Sequence, residues 1–503
     1  MREICEVLTN RQQRRLLLKL LALYLIVALP FKALDILPDF ANIRPNSAFI
    51  PVYGYLFGPA GAWANALGNC FYDLLTGSFT KSSMAGNLAN FCVPMLMCFL
   101  WRRLVGSSFR LTNVRELFWY VFIAVLGAIA KAFLITPAVV FFYPQVSGMS
   151  FANAVVATEV TFYLAPAIAI LLVLQNIYGV PAYIPHNPET APARPAASAQ
   201  TEGTLNRLQA DLCLLTVVLC WSFEIIIFKN IPDSVPGLSV TALTCLLGGF
   251  VLTVFFFAPV RRYFTLKLVW QVFPLAALNI VYNLLRFEAT RFLPAHVTES
   301  TTTMALLIMP LLLWLMFREK QPWQVWAGGG IVVLGIAAAL DWTFPMGQSY
   351  GLGLMLLFAI FWSVYIIWLN SLSKLHDPII MTVLLLGLGG IISLLAWIFL
   401  LPETIRTIDY SGKFWASIFA YAYFSSIFAT VLNVLVQKFV SPLDAVAIYS
   451  LGPAIVLIMA VALPPQLAAE FELTTMAVIS CVIIVAGSIL CQLDWKSMSG
   501  KKS

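Results

Sequence analysis

Apolar residues occur along this chain in long runs that short polar connections separate. Most runs hold about 20 residues, and a helix of that length crosses the hydrocarbon core of a bilayer. Six runs precede residue 180 and ten follow residue 204. They cover residues 16–34, 48–63, 66–80, 84–101, 117–136 and 154–178, and then 209–228, 238–258, 268–285, 295–317, 323–340, 352–370, 378–401, 414–436, 443–463 and 474–493. The pattern predicts an all-α polytopic membrane protein.

The stretch between the two groups of runs has a different character. Residues 180–204 contain Pro, Ala, Ser, Thr and Glu and little apolar bulk, so burial cannot offset the entropy of ordering them. We expect a cytoplasmic linker at 180–204. The remaining chain divides into a six-span domain at 1–179 and two five-span units, 205–342 and 343–503, the last of which includes a cytoplasmic tail.

Composition and charge agree with a membrane protein. The 503 residues are 61% hydrophobic and 11% charged, whereas soluble proteins are usually about 25% charged. The formal charge of +7 does not predict a nucleic-acid partner, because Lys and Arg cluster in short alternate connections, as in cytoplasmic loops. Arg102, Arg103, Arg110 and Arg115 share one connection, whereas 137–150 has no Lys or Arg. We expect a multi-pass protein of the inner cell membrane with both termini in the cytoplasm.

The second group of runs contains an internal repeat. Two dipeptides recur 141 residues later, and a proline and a glycine recur at slightly larger spacings. The matched positions are Trp221-Ser222 with Trp362-Ser363, Gly248-Gly249 with Gly389-Gly390, Pro310 with Pro453, and Gly335 with Gly487. Each unit has five spans, an odd number, so the two units must lie in opposite orientations. Such an inverted repeat is typical of secondary transporters with a site near the membrane midplane.

With these motifs, residues 205–495 resemble the paired EamA-type repeats of the drug/metabolite transporter superfamily. Three features carry the resemblance: the two Trp-Ser pairs, the prolines Pro310 and Pro453, and the run Glu319-Lys320…Trp326…Gly328…Gly335 at the fifth helix of the first repeat. At the fifth helix of the second repeat the sequence departs from this run and has Glu470-Phe471-Glu472-Leu473-Thr474. It implies a ten-helix bundle whose central cavity is lined mainly by the first, third, fourth, sixth, eighth and ninth helices. It also implies transport of a small metabolite, commonly outward.

A shorter resemblance concerns the six-span domain. The run Tyr55-Leu56-Phe57-Gly58-Pro59…Gly61…Gly68…Asp73 is similar to the substrate-binding membrane subunits of energy-coupling-factor vitamin importers. Its glycines and asparagines also interrupt the apolar pattern, which predicts short or broken, closely packed helices. The resemblance implies that this domain binds a solute.

Ionisable residues inside apolar runs mark candidate binding residues, because a charge at membrane depth is costly unless it faces protein or water. Glu224 lies in the first span of the repeat region, and its counterpart 141 residues later is Tyr365. We expect both to face a cavity that holds an amine-bearing solute or a proton. The alternative is that Glu224 lies near the outer end of its helix, solvated or paired with Arg286.

The fourth span of the repeat region begins with a polar patch. His296, Glu299 and Thr303 are three and four residues apart and so share one helix face. That face is predicted to line the cavity, and His296 with Glu299 is a candidate proton-sensitive pair. The alternative is that Pro294 starts the helix and that the patch serves its first turn near the membrane surface.

Further polar residues extend the candidate set. In the repeat region they are Tyr282, Asn283, Arg286, Tyr421, Ser425 and Asn433, which suit a small amphipathic solute or, alternatively, hydrogen bonds between helices. In the six-span domain Asn69, Asp73, Lys131 and Glu159 are expected to be buried, either as ion pairs or as a second solute pocket.

These features favour a secondary active transporter that exports a small amino-acid-, amine- or nucleoside-like metabolite across the plasma membrane by alternating access. One alternative is vitamin-type uptake in which the six-span domain binds the solute, and another is a non-transporting membrane receptor or scaffold. No nucleotide-binding loop, hydrolytic triad or metal-spaced His/Cys cluster is recognised, so neither an enzyme nor a cofactor is predicted. The expected partners are a small solute and the lipid bilayer, with proton coupling as a hypothesis and an oligomer left open.

Overall fold

The computed structural model describes residues 2–29, 45–184, 204–229, 231–232, 234–342, 346–462 and 474–492. These residues form helices and connections without strands, and twelve of the helices are long and apolar enough to cross a membrane. The chain is therefore an all-α polytopic membrane protein. It divides into two compact units, Met1–Cys213 and Leu214–Ser503. Most of the expected linker, 185–203, and the tail, 493–503, lie outside the described residues.

Among the residues that the structure describes, the first unit contains seven α-helices, and all but the first fall in outline on the predicted apolar runs. They are α1 (Arg2–Thr9), α2 (Arg11–Ala28), α3 (Phe49–Leu75), α4 (Ser83–Leu104), α5 (Val114–Phe142), α6 (Gly148–Leu164) and α7 (Pro166–Leu172), followed by a π-helical turn at Val173–Ile177. Helix α2 begins at Asn10, whose side chain accepts hydrogen bonds from two backbone N–H groups of the first turn. Asn113 caps α5 in the same way.

Helix α3 reverses direction at Gly58. The Asn65 amide donates to the carbonyl of Phe49 across 3.3 Å, although residues 16 apart in a straight helix are separated by about 24 Å. Gly58 has φ +52°, and a Cβ there would overlap the ring of Tyr183, so only glycine fits. The segment Phe49–Leu75 is thus two antiparallel arms.

This turn corrects the boundary expected between spans 48–63 and 66–80. The chain turns at Gly58-Pro59 instead, because these residues combine a left-handed conformation with a proline that starts the next helix. The arm before the turn has nine helical residues, about 14 Å, which is less than half of a membrane crossing. The glycine-rich run therefore forms a short arm that covers less than half of the membrane and a longer helix that runs back in the opposite direction.

The repeat region contains two successive sets of five spans, several of which are broken. The first set is α8 (Arg207–Lys229), α9 (Gly237–Phe255) with the short α10 (Phe257–Tyr263), α11 (Leu266–Ala289), α12 (Ala295–Thr302) with α13 (Ala305–Phe317), and α14 (Trp323–Ala339). The second is α15 (Ser349–Ser373), α16 (Pro378–Leu400) with the short α17 (Thr404–Thr407), α18 (Gly412–Tyr421) with α19 (Thr430–Val436), α20 (Pro442–Tyr449) with α21 (Gly452–Ala462), and α22 (Thr475–Gln492). A π-helical segment, Ala422–Ala429, joins α18 to α19.

The second helices of the two repeats pack against each other about a pseudo-twofold axis. A Cβ at Gly249 would lie 3.1 Å from the backbone of Gly387, and a Cβ at Gly390 would lie 2.8 Å from the backbone of Leu246. The 141-residue spacing relates Gly249 to Gly390 and Leu246 to Gly387, so the two contacts are the same contact seen from each repeat. Reciprocity of this kind is the signature of a twofold interface.

The fifth helices, α14 and α22, pair in the same reciprocal manner. A Cβ at Gly335 would meet the Ser480 carbonyl, and a Cβ at Gly487 would meet the Gly328 carbonyl. The 152-residue spacing between Gly335 and Gly487 also relates Gly328 to Ser480. Residues late in one helix thus meet residues early in the other, so the pair is antiparallel. The axis therefore runs across the helices, as an inverted repeat requires.

The run expected to distinguish the second repeat's fifth helix lies almost entirely outside the described residues. Glu470, Phe471, Glu472 and Leu473 lie outside the described residues, and α22 starts at Thr475. The rest of this helix packs closely on α14, because small residues on both sides let the backbones approach.

Candidate functional site

The second unit encloses a central cavity between its two repeats. All six helices that the family resemblance implies contribute side chains to it, and α9 and α16 contribute as well. The lining residues are Val218, Trp221, Glu224, Thr241, Thr244, Cys245, Asn279, Tyr282, Asn283, Arg286, Glu299, Thr302, Phe358, Trp362, Tyr365, Leu386, Tyr421, Ser425, Ser426, Thr430, Asn433 and Tyr449. The free volume is about 40 Å³, which holds a few water molecules. A metabolite can enter only if the lining side chains move.

Glu224 lies at the junction of the two repeats. Its Oε1 accepts a hydrogen bond from the Tyr421 hydroxyl and its Oε2 accepts one from the Ser425 hydroxyl, each across 2.9 Å. Both donors flank the start of the π-helical segment, and such segments are frequent at functional sites. Glu224 is only 1% exposed, so its carboxylate depends on these donors and on Arg286 rather than on bulk water.

Arg286 holds the two buried carboxylates together. Its Nη2 donates to Glu299 Oε1 across 2.6 Å, and its Nη1 lies 3.6 Å from Glu224 Oε2. The planar guanidinium carries several donors in fixed directions and can serve both partners at once. The alternative interpretation paired Glu224 with Arg286 near the outer end of the helix. The two residues do form a pair, but the side chains of Glu224, Arg286 and Glu299 are all buried, so the pair lies inside the cavity.

The cavity carries an excess of negative charge. Among its lining residues only Glu224, Glu299 and Arg286 bear a formal charge, which sums to one negative charge when all three are ionised. A buried charge is tolerated when a partner compensates it. The site therefore favours a cation, either a proton or a positively charged group of a solute.

Two groups of aromatic rings line the cavity together with the charged residues. Trp221 and Trp362, the two repeated tryptophans, lie 6.1 Å apart between ring centroids, and both pack against Tyr449 at 5.1 and 5.4 Å. Tyr282 and Tyr365 form a second pair at 5.0 Å. Aromatic faces bind flat apolar groups and attract cations.

A network of amides and hydroxyls closes the remaining wall. The Tyr449 hydroxyl donates to Asn433 Oδ1 across 2.6 Å, and the Gln437 amide donates to the same oxygen across 3.2 Å. On α11, the Asn279 amide donates to the Tyr282 hydroxyl across 2.6 Å. These bonds fix the aromatic rings in orientation and also satisfy polar groups that are buried from water.

Most of the residues selected from the sequence lie together in this cavity. Glu224, Tyr282, Asn283, Arg286, Glu299, Tyr365, Tyr421, Ser425 and Asn433 line it. His296 and Thr303 are not among its lining residues. Helix α12 begins directly after Pro294, so His296 falls in its first turn, and the Thr303 hydroxyl is turned back to the Ser300 carbonyl at 2.5 Å. The phenol that contacts Glu224 is that of Tyr421, whereas Tyr365 packs on Tyr282.

Sequence reasoning missed three of the aromatic residues of the site. Trp221, Trp362 and Tyr449 line the cavity, but a tryptophan in a membrane helix resembles ordinary packing when it is seen in sequence alone. One signal was available, because the Trp-Ser pair recurs at the 141-residue spacing. In the structure the two copies meet at the cavity between the repeats, where Trp221 and Trp362 lie against each other.

The first unit encloses a cavity of its own. All four residues selected there, Asn69, Asp73, Lys131 and Glu159, contribute to its lining. Lys131 Nζ lies 2.5 Å from Glu159 Oε1, so one of the expected ion pairs is formed.

One comparison with known proteins identifies the family of the repeat region. No curated protein matches the chain. A solved structure described only as "Crystal structure of protein" is 19% identical, with a TM-score of 0.45 over 59% of this chain and all of that chain. The sequence model of the EamA-like transporter family matches residues 208–340 and 349–492, one match for each repeat. These matches cover more than half of the sequence, and the chain belongs to the EamA-like transporter family.

Proposed function

We propose that this protein is a secondary active transporter that moves a small amine-bearing metabolite across the plasma membrane by alternating access. The observation that carries the proposal is the buried Glu224–Arg286–Glu299 cluster in a cavity between inverted repeats. Its excess negative charge suits an ammonium group, and the ring cluster of Trp221, Trp362 and Tyr449 suits an apolar or aromatic body.

The small free volume supports alternating access. The free volume of about 40 Å³ is far below the roughly 300–1,000 Å³ of most small-molecule sites, so a metabolite binds there only when the repeats or their lining side chains move apart. Because the repeats are related by an axis in the membrane plane, tilting one repeat against the other opens the same cavity to opposite sides in turn. Two helices that line the cavity are broken near it, at residues 303–304 and 450–451, and these breaks are the proposed hinge points.

Proton exchange is the proposed energy source, with export as the direction. A proton and a solute ammonium group compete for the same carboxylates, so binding one releases the other. Glu224 and Glu299 are the proposed exchange sites. Because the positive charge of Arg286 already compensates one of the two carboxylate charges, the two residues together accept fewer cations than two isolated carboxylates. The family resemblance, which commonly implies efflux, supports the direction.

The test is counterflow of labelled tyramine, putrescine and lysine into proteoliposomes that contain the full chain, with and without an imposed pH gradient. We expect saturable flux of at least one amine, stimulated by the gradient and reduced at least about tenfold by Glu224→Gln. The matched control is Glu288→Gln, because the Glu288 side chain is 40% exposed and pairs with Arg291. Absence of flux for every amine, or an unchanged rate and pH profile in Glu224→Gln, would contradict the proposal.

A further inference from the structure

The inverted repeat gives residues of the central cavity counterparts in the other repeat. The third helices of the two repeats end 147 residues apart, because Thr290 caps α11 and Gln437 caps α19. The fourth helices keep this spacing, since α12 starts at Ala295 and α20 starts at Pro442. The first helices have the 141-residue spacing of the two Trp-Ser pairs. These spacings identify the positions that the pseudo-twofold axis exchanges.

All three charged residues of the cavity belong to the first repeat, and each has a neutral counterpart in the second. The pairs are Glu224 with Tyr365, Arg286 with Asn433, and Glu299 with Val446. Arg286 and Asn433 each lie four residues before the cap of their helix, and the inverted relationship directs these helix ends toward opposite membrane faces. The cavity therefore has a charged end, formed by Glu224, Arg286 and Glu299, and a neutral end at Asn433.

The neutral end is built from aromatic and amide groups. Asn433 Oδ1 accepts hydrogen bonds from the Tyr449 hydroxyl at 2.6 Å and from the Gln437 amide at 3.2 Å. Tyr449 in turn packs against both Trp221 and Trp362. Among the described residues that line the cavity, those from the second repeat bear no charge. An ammonium group at this end would meet no carboxylate, and an unpaired charge away from water is costly.

A carboxylate on the solute is accommodated no better. Arg286 is the one cationic residue among the described lining residues, and its guanidinium lies 2.6 Å from a Glu299 oxygen and 3.6 Å from a Glu224 oxygen. A carboxylate that approached Arg286 would therefore also approach two other carboxylates. In addition, a zwitterion has no net charge and leaves the excess negative charge of the lining uncompensated. The charged end thus suits a group that is purely cationic.

We propose that the transported solute is a monoamine, whose ammonium group binds at the charged end and whose uncharged aromatic or apolar body reaches the neutral end. Diamines are rejected at the neutral end and amino acids at the charged end. This inference rests on the proposed function and narrows it, because tyramine has the required form, whereas putrescine and lysine do not. It also fixes the orientation of the solute between the repeats.

The experiment measures binding of labelled tyramine to the full-length protein in nanodiscs. Two competitors each change tyramine by one group: tyrosine adds a carboxylate, and 4-(2-aminoethyl)benzylamine has an aminomethyl group in place of the phenol hydroxyl. Only the binding that Glu224→Gln abolishes is scored, which assigns the signal to the central cavity. Asp73→Asn, in the lining of the first unit's cavity, should leave that signal unchanged. We expect tyrosine and the diamine to displace tyramine at least about tenfold more weakly than unlabelled tyramine does.

One substitution should make the neutral end accept a second ammonium group. Asn433→Asp keeps the shape of the side chain and the donors of Tyr449 and Gln437 that face its oxygen, but it adds a carboxylate. We expect the diamine to gain about tenfold in affinity relative to tyramine, whereas tyrosine gains nothing. Asn283→Asp is the matched control, because it adds the same charge to the lining on α11 of the first repeat and should not favour the diamine.

Three results would overturn the proposal. The first is absence of tyramine binding that depends on Glu224. The second is displacement of tyramine from the wild-type protein by the diamine or by tyrosine that equals displacement by unlabelled tyramine, a measurement that needs no variant to fold. The third is a folded Asn433→Asp protein with an unchanged ratio of diamine affinity to tyramine affinity.

The outcomes also separate this inference from the transport function. Flux of putrescine or lysine without flux of tyramine would contradict the monoamine specificity and leave the transport function intact. The expected series of binding affinities without flux of any amine would contradict the transport function only.

Discussion

Tyr421 of the second repeat donates a hydrogen bond to Glu224 of the first repeat, with 2.9 Å between the phenol oxygen and Oε1. This bond joins helices of opposite repeats at the most buried carboxylate of the cavity. Any motion that separates the repeats here must break it. A cation that binds the Glu224 carboxylate competes with the Tyr421 hydroxyl for it and weakens the hydrogen bond between the two residues. Binding at Glu224 therefore alters the contact between the repeats.

Removal of the Tyr421 hydroxyl should therefore impair transport without unfolding the protein. Tyr421→Phe keeps the ring that stacks on Phe228 at 5.1 Å but deletes the donor to Glu224. A lost hydrogen bond to a charged group costs about 1.5–3 kcal/mol. We expect amine flux in proteoliposomes to decrease at least about tenfold. Tyr423→Phe, two residues away and outside the cavity lining, should keep its flux; equal rates in the two variants would contradict the role of Tyr421.

Arg286 should be needed in its native form. Arg286→Lys supplies a compact ammonium group that cannot serve two carboxylates at once. We expect flux to fall about tenfold or more, while the control Arg291→Lys, at a partly exposed ion pair, changes it little. Arg286→Met should also lower the thermal midpoint of unfolding, because removing one partner of a buried ion pair costs about 3–5 kcal/mol.

A double variant identifies the cause of that instability. Arg286→Met with Glu299→Gln removes the charge that the single variant leaves unpaired. The thermal midpoint should recover in part, as expected for directly coupled residues. Additive losses in the two single changes would show that Arg286 and Glu299 do not interact in the folded protein.

Gly452 should be required because Glu299 packs against it. A Cβ at Gly452 would lie 2.3 Å from Glu299 Oε2, which is the far end of a flexible side chain. Gly452→Ala should therefore displace the carboxylate from Arg286 and leave the backbone in place. We expect a change in the apparent KM for the amine of about tenfold, and a decrease in thermal midpoint that is smaller than in Arg286→Met because both charged partners remain. Gly353→Ala, where nothing lies within 4 Å, is the control.

The fifth-helix pair should be sensitive to a single methyl group. A Cβ at Gly487 would lie 2.7 Å from the backbone oxygen of Gly328, which cannot move aside without shifting α14. Overpacking of this kind costs about 1–3 kcal/mol, so Gly487→Ala should lower the thermal midpoint. Gly330 has open space within 4 Å, and Gly330→Ala should be neutral or stabilising. A Gly487→Ala protein as stable as the wild type would rule out the close approach.

Some features of the site were accessible from single-residue reasoning and others were not. Glu224, Arg286 and Glu299 stood out because charges are rare in apolar helices, and the structure places all three in one cavity. His296 was selected for the same reason, but Pro294 starts the helix directly before it, and it does not line the cavity. The type of a residue indicates that a polar group is unusual at that position in an apolar run. The residue at which the helix starts determines whether the side chain faces the cavity.

The sequence by itself determined the membrane class, the ten spans of the repeat region and their inverted relationship. The length of the hydrophobic runs and the odd number of spans in each repeat are properties of the chain that hold before any packing occurs. Only the tertiary structure decided that Tyr421 rather than Tyr365 contacts Glu224, that the chain turns at Gly58, and that Trp221 meets Trp362. These outcomes depend on how closely backbones approach and where helices break, and no local pattern of residues specifies either one.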